Sequence, residues 1–520
     1  MGRRIRWLGL ILLACFALVL VQLVNIQFKR ANALANSPFN PAVHAKIYDN
    51  DRGTISLANG TVLAKSVKIN SSTSSYNYKR VYPQGPLYSG ITGYDSYYLG
   101  TSGIEYEYNS YLTPHAQAPQ NLSQLLFNKP PSEPDNVILT IDPVLQQAAA
   151  TALTTLPPGA NKDGAVAVLN PKTGAVLALV SNPTYDPNNL SNPDVKTEEA
   201  WDYAYRLPDR EGFEPIEPIA TEVPKFPGST FKVITSTAVY NLKPSLINYY
   251  FPYAASIGFP DSNQRLFNDG GSACGGTMET MLPQSCDPGY GELGIKLGVP
   301  TLTKQAELFG LSIYQGSYTY TPKIDLPSCT SGVSICIAPS DFCNLAPNSQ
   351  AFLAYCAIGQ ENDAETALQN ALVASAIANN GVMMTPHLME QIRDSQGNVV
   401  TTYKPTPMLK VSSASAAESV NKLMQGVPKP GGTAYGDFPQ SWDVAAKTGT
   451  AQDSHIVDNE QTDDWLIAFM PASDPQIAVA VVVPYQLQDL TGAQVAGPIV
   501  RAVFQAYLNE IGSSGTASGQ

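Results

Sequence analysis

At 520 residues the chain is long enough for more than one domain and a large core. Charged residues make up 14%, well below the roughly one quarter of an average soluble domain, while 41 prolines and 39 glycines suit a loop-rich extracellular protein. A net charge of -12, with no Lys/Arg stripe interleaved with aromatics, excludes nucleic acid as the expected partner.

In chain order, Arg3, Arg4 and Arg6 precede the apolar run Trp7 to Ile26, WLGLILLACFALVLVQLVNI, which only Gln22 and Asn25 interrupt. Its length is about one bilayer span. A cytoplasmic tail 1–6 and a single transmembrane helix 7–28 are expected, with everything after Lys29 outside, because basic residues stay on the cytoplasmic side. A cleaved signal peptide would need a shorter apolar core, about 7 to 15 residues, and Lys29 and Arg30 stand before the small residues Ala31, Ala33 and Ala35.

Residues 29–135 are polar and rich in Tyr and Ser, with little helical periodicity. Arg52 to Ser66 places Asn59-Gly60 between apolar runs, a hairpin signal, so this part reads as a small β-rich stalk. Ala116 to Pro134 is Pro- and Gln-rich and reads as a connector.

The span 136–511 has a different texture. Asn136 opens an apolar strand, then Asp142 and Pro143 begin a helix as cap and first helical residue. Gly164 to Pro183 is two apolar runs about a turn at Asn170 to Gly174, hence two antiparallel strands. The region 235–400 reads as mostly helical with irregular insertions; within it Glu365 to Met384 carries helical apolar spacing that Asn380-Gly381 ends. Strands at DVAAKTGTAQ, WLIAFMP and QIAVAVVVPY and a helix at GPIVRAVFQAYLNEI close it, and the Ser/Gly-rich 512–520 reads as a disordered tail. The order is α+β, with the first and last strand groups free to share one sheet.

Of seven cysteines, Cys15 lies in the apolar run. The other six make Cys274 with Cys286, and the group Cys329, Cys336, Cys343 and Cys356, local disulfide candidates. None of His44, His115, His387 and His455 stands at ligand spacing from them, so neither metal nor cofactor is expected.

The chemistry concentrates at Phe226 to Ile234, FPGSTFKVI. A helix opening at Pro227 and Gly228 stacks the Lys232 amine beside the Ser229 hydroxyl. A serine needs such a base, and the helix N-terminus adds positive potential where an oxyanion would form. Alone, S-x-x-K is a weak signal. Two tripeptides follow it: Ser285-Cys286-Asp287 ahead of a helix, and Lys447-Thr448-Gly449 on an apolar strand. An earlier K-T-G, Lys172 to Gly174, belongs to the hairpin turn.

Serine enzymes acting on D-alanyl peptides and β-lactams combine S-x-x-K, S-x-N and K-T-G in that order. Together with RGTI, TGYDS, GTSGIE, LTID, TYDPN, AIGQ, SAIANNGVMMTPHL and AAKTGTAQ, the set resembles a class B penicillin-binding protein, of the short-stalked actinobacterial A type. The resemblance implies a penicillin-binding transpeptidase fold: an antiparallel sheet sandwiched by helices, with an all-helical subdomain, on the stalk. It implies that Ser229 is acylated by peptidoglycan stem peptides or β-lactams, that Lys232 takes its proton, and that Ser285 relays a proton to the leaving amine. Lys447, Thr448, Gly449 and Thr450 would hold the substrate carboxylate, and the N–H groups of Ser229 and Thr450 the oxyanion.

Asp287 departs from the S-x-N pattern. A carboxylate only accepts hydrogen bonds, so Asp287 either pairs with a cation, Lys232 or Lys447, or makes other contacts. The stalk is too short for a glycosyltransferase domain, so a SEDS-type glycan polymerase is the implied partner. A D,D-carboxypeptidase or a silent cell-wall scaffold are the competing readings. A β-lactamase would lack the stalk and anchor, and no G-x-S-x-G elbow surrounds Ser229.

Overall fold

A computed structural model describes residues 2–25, 50–70, 76–114, 133–155, 160–260, 262–311, 324–326, 349–361, 363–453, 461–487 and 490–517. Most of the expected connector, and Cys329, Cys336 and Cys343, lie outside these residues.

The sheet that carries the site has five antiparallel strands in the order Ala445–Asp453, Gln461–Met470, Ile477–Leu487, Gly164–Leu169 and Val176–Asn182. As the sequence order allows, the two strand groups join where Val481 faces Val166. Alternation decides the layers, because successive side chains of a strand point to opposite faces. Val166, Val168, Val479 and Val481 pack with Leu145 and Leu153 of the helix Pro143–Thr155 and with Ile499 and Phe504 of the helix Gly492–Ala517. Ala165, Ala167, Ala480 and Val482 face the other way, into a core shared with the helices Lys232–Leu242 and Ala367–Ala378. The small side chains on that face let those helices lie close to the sheet.

The second sheet has six strands: Val399–Thr402, Met389–Arg393, Asn136–Leu139, Ile55–Leu57, Val62–Lys68 and Tyr78–Val81. The expected hairpin is there, Ile55–Leu57 pairing antiparallel with Val62–Lys68. Ile55–Leu57 also pairs in parallel with Asn136–Leu139, which in turn pairs with Met389–Arg393. The sheet therefore continues across the position, 135/136, where the composition changes. Hydrogen bonding between strands, unlike composition, is blind to distance along the chain. Beneath it, Glu105 accepts from Arg52 Nε at 2.7 Å and from Arg80 Nε at 2.6 Å.

Two expectations need correction. The block expected to be all-helical also contains the ribbons Ser256–Phe259 with Ser262–Phe267 and Phe251–Ala254 with Cys274–Gly276; strands this short are hard to tell from loops by periodicity. The closing helix runs from Gly492 to Ala517, longer at both ends than its apolar pattern, since extending a formed helix avoids the cost of nucleation. Among the described residues no helix is long and apolar enough to cross a membrane; the N-terminal helix spans Gly2–Val24.

Candidate active site

Ser229 sits in a single 3-10 turn, Gly228–Phe231, that runs directly into the helix Lys232–Leu242, with Pro227 as its cap. The opening expected at Pro227 and Gly228 is thus tighter than an α-helix. Gly228 has φ +53°, and a Cβ there would come within 3.0 Å of the Ala451 side chain. A left-handed backbone with no room for a side chain requires glycine. The turn is fixed from three sides: Gly228 N–H donates to the Gly359 carbonyl (2.9 Å), Trp465 Nε1 to the Phe226 carbonyl (2.8 Å) and Asn370 Nδ2 to Thr230 Oγ1 (2.9 Å).

The K-T-G strand Ala445–Asp453 is the edge of the five-stranded sheet and runs against this turn. Gly449 lets it approach, since a Cβ there would lie 2.8 Å from the Pro227 carbonyl oxygen. Thr448 is buried and shares a hydroxyl contact of 2.6 Å with Thr433, while Thr450 Oγ1 accepts from Gly492 N–H at 3.1 Å. Behind Thr450 on the next strand, burial pushes the Asp464 carboxyl up to about 8.

Ser285 stands on the opposite wall, at φ +55°, an uncommon conformation for a residue with a side chain. Its neighbour Cys286 is bonded to Cys274, as expected, and Cys286 N–H closes onto the Met281 carbonyl at 2.9 Å. Cys356 is disulfide-bonded too. Asp287 begins the helix Asp287–Leu297, where the helix dipole favours an anion, and its N–H donates to Asn268 Oδ1 at 3.0 Å.

These walls meet at Ser285. Lys447 Nζ donates to Ser285 Oγ at 2.9 Å and Lys232 Nζ to the same atom at 3.2 Å. Lys232 also reaches the Ser285 carbonyl at 2.7 Å and Asp287 Oδ1 at 2.5 Å. Of the two cations open to Asp287, Lys232 is the one it pairs with. Both amines are fully buried. Burial lowers the affinity of Lys232 for its proton, against the pull of Asp287; Lys447 is pushed well below the ordinary lysine range by burial and then by the charge on Lys232.

In front of the amines lies a cleft of about 550 Å³ lined by Ser229, Ser285, Asp287, Thr448, Thr450 and others. All eight residues singled out from sequence therefore gather at one place. The structure adds Thr433, Asn268, Gln360, Gln452 and the overhanging ribbon residues Arg265 and Phe267. Of these Gln360 and Gln452 had a signal, as the ends of AIGQ and AAKTGTAQ; the rest come from segments without periodicity or motif. The other K-T-G is a turn, with Asn170 Oδ1 accepting from Lys172 N–H and Thr173 N–H at 2.9 and 3.2 Å.

A seryl hydroxyl, two buried amines and a second hydroxyl joining them form an apparatus for acyl transfer. The sequence matches the penicillin binding protein transpeptidase domain over residues 164–505 and the penicillin binding protein A dimerisation domain over residues 52–133. It is 32% identical to the peptidoglycan D,D-transpeptidase PbpA of Mycolicibacterium smegmatis, covering 98% of this chain and 100% of that protein. It is equally similar to PbpA of Mycobacterium tuberculosis, over 98% and 99%. The penicillin G acyl-enzyme complex of penicillin-binding protein A from M. tuberculosis superposes with a TM-score of 0.74 at 30% identity, covering 88% of this chain and 100% of that one. The chain belongs to the penicillin-binding protein transpeptidase family.

Proposed function

We propose that the chain is a serine D,D-transpeptidase that cross-links peptidoglycan stem peptides through an acyl-enzyme on Ser229, and that β-lactams acylate the same hydroxyl. The observation that carries this reading is the sharing of Ser285 Oγ by the Lys232 and Lys447 amines, at 3.2 and 2.9 Å, on the cleft that Ser229 lines.

Ser229 Oγ attacks the carbonyl of the penultimate D-Ala while Lys232 takes the hydroxyl proton. The backbone N–H groups of Ser229 and Thr450 receive the oxyanion; one such donor contributes about 10²- to 10³-fold. The C–N bond breaks, Ser285 passes a proton to the departing D-Ala amine, and Lys447 with Thr448 and Thr450 holds the substrate carboxylate. The amine of a second stem peptide then attacks the ester and releases Ser229.

The test is labelling by fluorescent penicillin, lost in Ser229→Ala, followed by mass spectrometry of a stem-peptide reaction. Cross-linked dimers support transpeptidation; tetrapeptides alone would mean a carboxypeptidase; no labelling would leave a scaffold.

Residues 7–28 anchor the protein in the cell membrane in a single pass, with 1–6 cytoplasmic, 29–135 a stalk and 136–511 the extracellular catalytic unit. Support comes from the apolar run behind Arg3, Arg4 and Arg6 and from the exposure of Trp7, Leu10, Leu12 and Phe16 on the N-terminal helix. A SEDS-type polymerase supplies the glycan strand and contacts the stalk and anchor. Release from membranes by carbonate, or failure to co-purify with such a polymerase, would reject these two points.

A further inference from the structure

A protonated amine has three N–H donors and no acceptor. Lys232 Nζ donates to the Ser285 carbonyl at 2.7 Å, to Ser285 Oγ at 3.2 Å and to Asp287 Oδ1 at 2.5 Å, three partners for three donors. An ammonium so bonded has nothing left with which to receive the Ser229 proton. Lys447 differs. Its two contacts, Ser285 Oγ at 2.9 Å and the Thr448 carbonyl at 2.8 Å, are as many as a neutral amine can donate.

Among the described residues the charges facing Lys232 are few. The helix Asp287–Leu297 presents Asp287 and the Tyr290 ring, 5.6 Å from Nζ; the strand Ala445–Asp453 presents Lys447; the turn Asp269–Gly271 adds the charge of Asp269 at longer range. One carboxylate in contact can neutralise one of two buried amines, and the distances give it to Lys232. An amide at position 287, the residue the S-x-N pattern calls for, would carry no such charge.

We propose that Asp287 is a positioning residue that holds Lys232 as an ammonium in the resting enzyme, so that acylation of Ser229 waits on loss of that proton. Only the neutral amine can take the Oγ–H proton as the Oγ–C bond forms and the C–N bond breaks. The carboxylate therefore raises the pH at which acylation begins. This rests on the acyl-enzyme reading of Ser229.

The experiment follows the rate of labelling by fluorescent penicillin against pH, using the full chain in detergent. In Asp287→Asn the acid limb moves to lower pH by about 1 to 3 units, the usual effect of an opposite charge in contact. Asp287→Glu, which keeps the carboxylate, leaves the limb near its wild-type position. A limb that stays in place in Asp287→Asn while only the maximum rate changes would overturn the proposal, as would a shift to higher pH. Should thermal melting find Asp287→Asn unfolded, Asp287→Ser removes the same charge and is read the same way. Wild-type protein that never labels would instead remove the acyl-enzyme reading itself.

Discussion

Among the described residues buried cations gather with carboxylates under the six-stranded sheet and again behind the cleft, and the two clusters are built from different cations. In the first, Arg52 and Arg80 face Glu105 at 2.7 and 2.6 Å, with Asp95 3.7 Å from Arg52. Two permanent cations meet two carboxylates. Burial pushes the Glu105 carboxyl up, but Arg80 and Arg52 hold it below the ordinary carboxylate range. In the second, Asp287 pairs with Lys232 alone of the two lysines, and Lys447 meets Lys232 across Ser285 Oγ. A guanidinium keeps its proton in any protein environment, whereas a buried lysine gives it up readily. Arginine stands where charge must stay, and lysine where a proton must move.

The largest effect is expected from breaking that distinction in the cleft. Lys232→Arg keeps the positive charge and the means to bond Asp287, but cannot release a proton near neutrality. Labelling by fluorescent penicillin should fall by about 10²- to 10⁴-fold, the range for loss of a general base. Thermal melting establishes that the variant is folded. Labelling at the wild-type rate would mean that the cleft cations act by charge alone, and the contrast with the stalk would vanish.

Under the six-stranded sheet the same reasoning forecasts a stability effect without a kinetic one. Glu105→Gln leaves two buried guanidinium groups short of their shared carboxylate. Breaking such a pair costs about 3 to 5 kcal/mol, read as a lower urea midpoint. Arg52 lies just before Ile55–Leu57, the strand that pairs with Asn136–Leu139, so unfolding should spread through that sheet. The labelling rate per folded molecule should stay at the wild-type value. A proportional fall in labelling would show that the Arg52–Arg80–Glu105 cluster also sets the geometry of the cleft.

How much of this was legible in the sequence follows from the range of each interaction. Ser229, Lys232 and Lys447 lie in short motifs whose members are sequence neighbours, and the five-stranded sheet could be read from alternating apolar runs. That Asp287 departs from the S-x-N pattern could be read as well, with a cation partner as one of two open alternatives. Which cation could not be, because Lys232 and Lys447 both stand far from Asp287 along the chain and only the geometry around Ser285 separates them. The partnership of Ile55 with Val137, and that of Thr433 with Thr448, left no local trace. The ribbon carrying Arg265 and Phe267 falls in a region that reads as mostly helical, because short, mostly exposed strands have no apolar period.

A third site is a buried carboxyl with no ion pair among the described residues, and it gives the smallest effect. Glu365 is 1% exposed, and among the described residues neither of its carboxyl oxygens has a hydrogen-bond partner. Its backbone pairs with that of Lys225 through two bonds of 2.9 Å, yet the Lys225 amine turns away to the Tyr485 hydroxyl at 2.6 Å. Burial therefore pushes the carboxyl up to about 8, and the group stays neutral where Glu105, held between its arginines, stays ionised. In the unfolded chain it ionises near its ordinary value of about 4.3. Between these two values the folded state binds the extra proton, so stability falls as pH rises and levels off above about 8. Glu365→Gln should remove this slope, gaining on the order of 3 kcal/mol over wild type between about pH 5 and pH 8, as read from urea unfolding at the two pH values. A parallel pH dependence in variant and wild type would mean that Glu365 is ionised in the fold, and that a buried carboxylate here needs neither an arginine nor a lysine beside it.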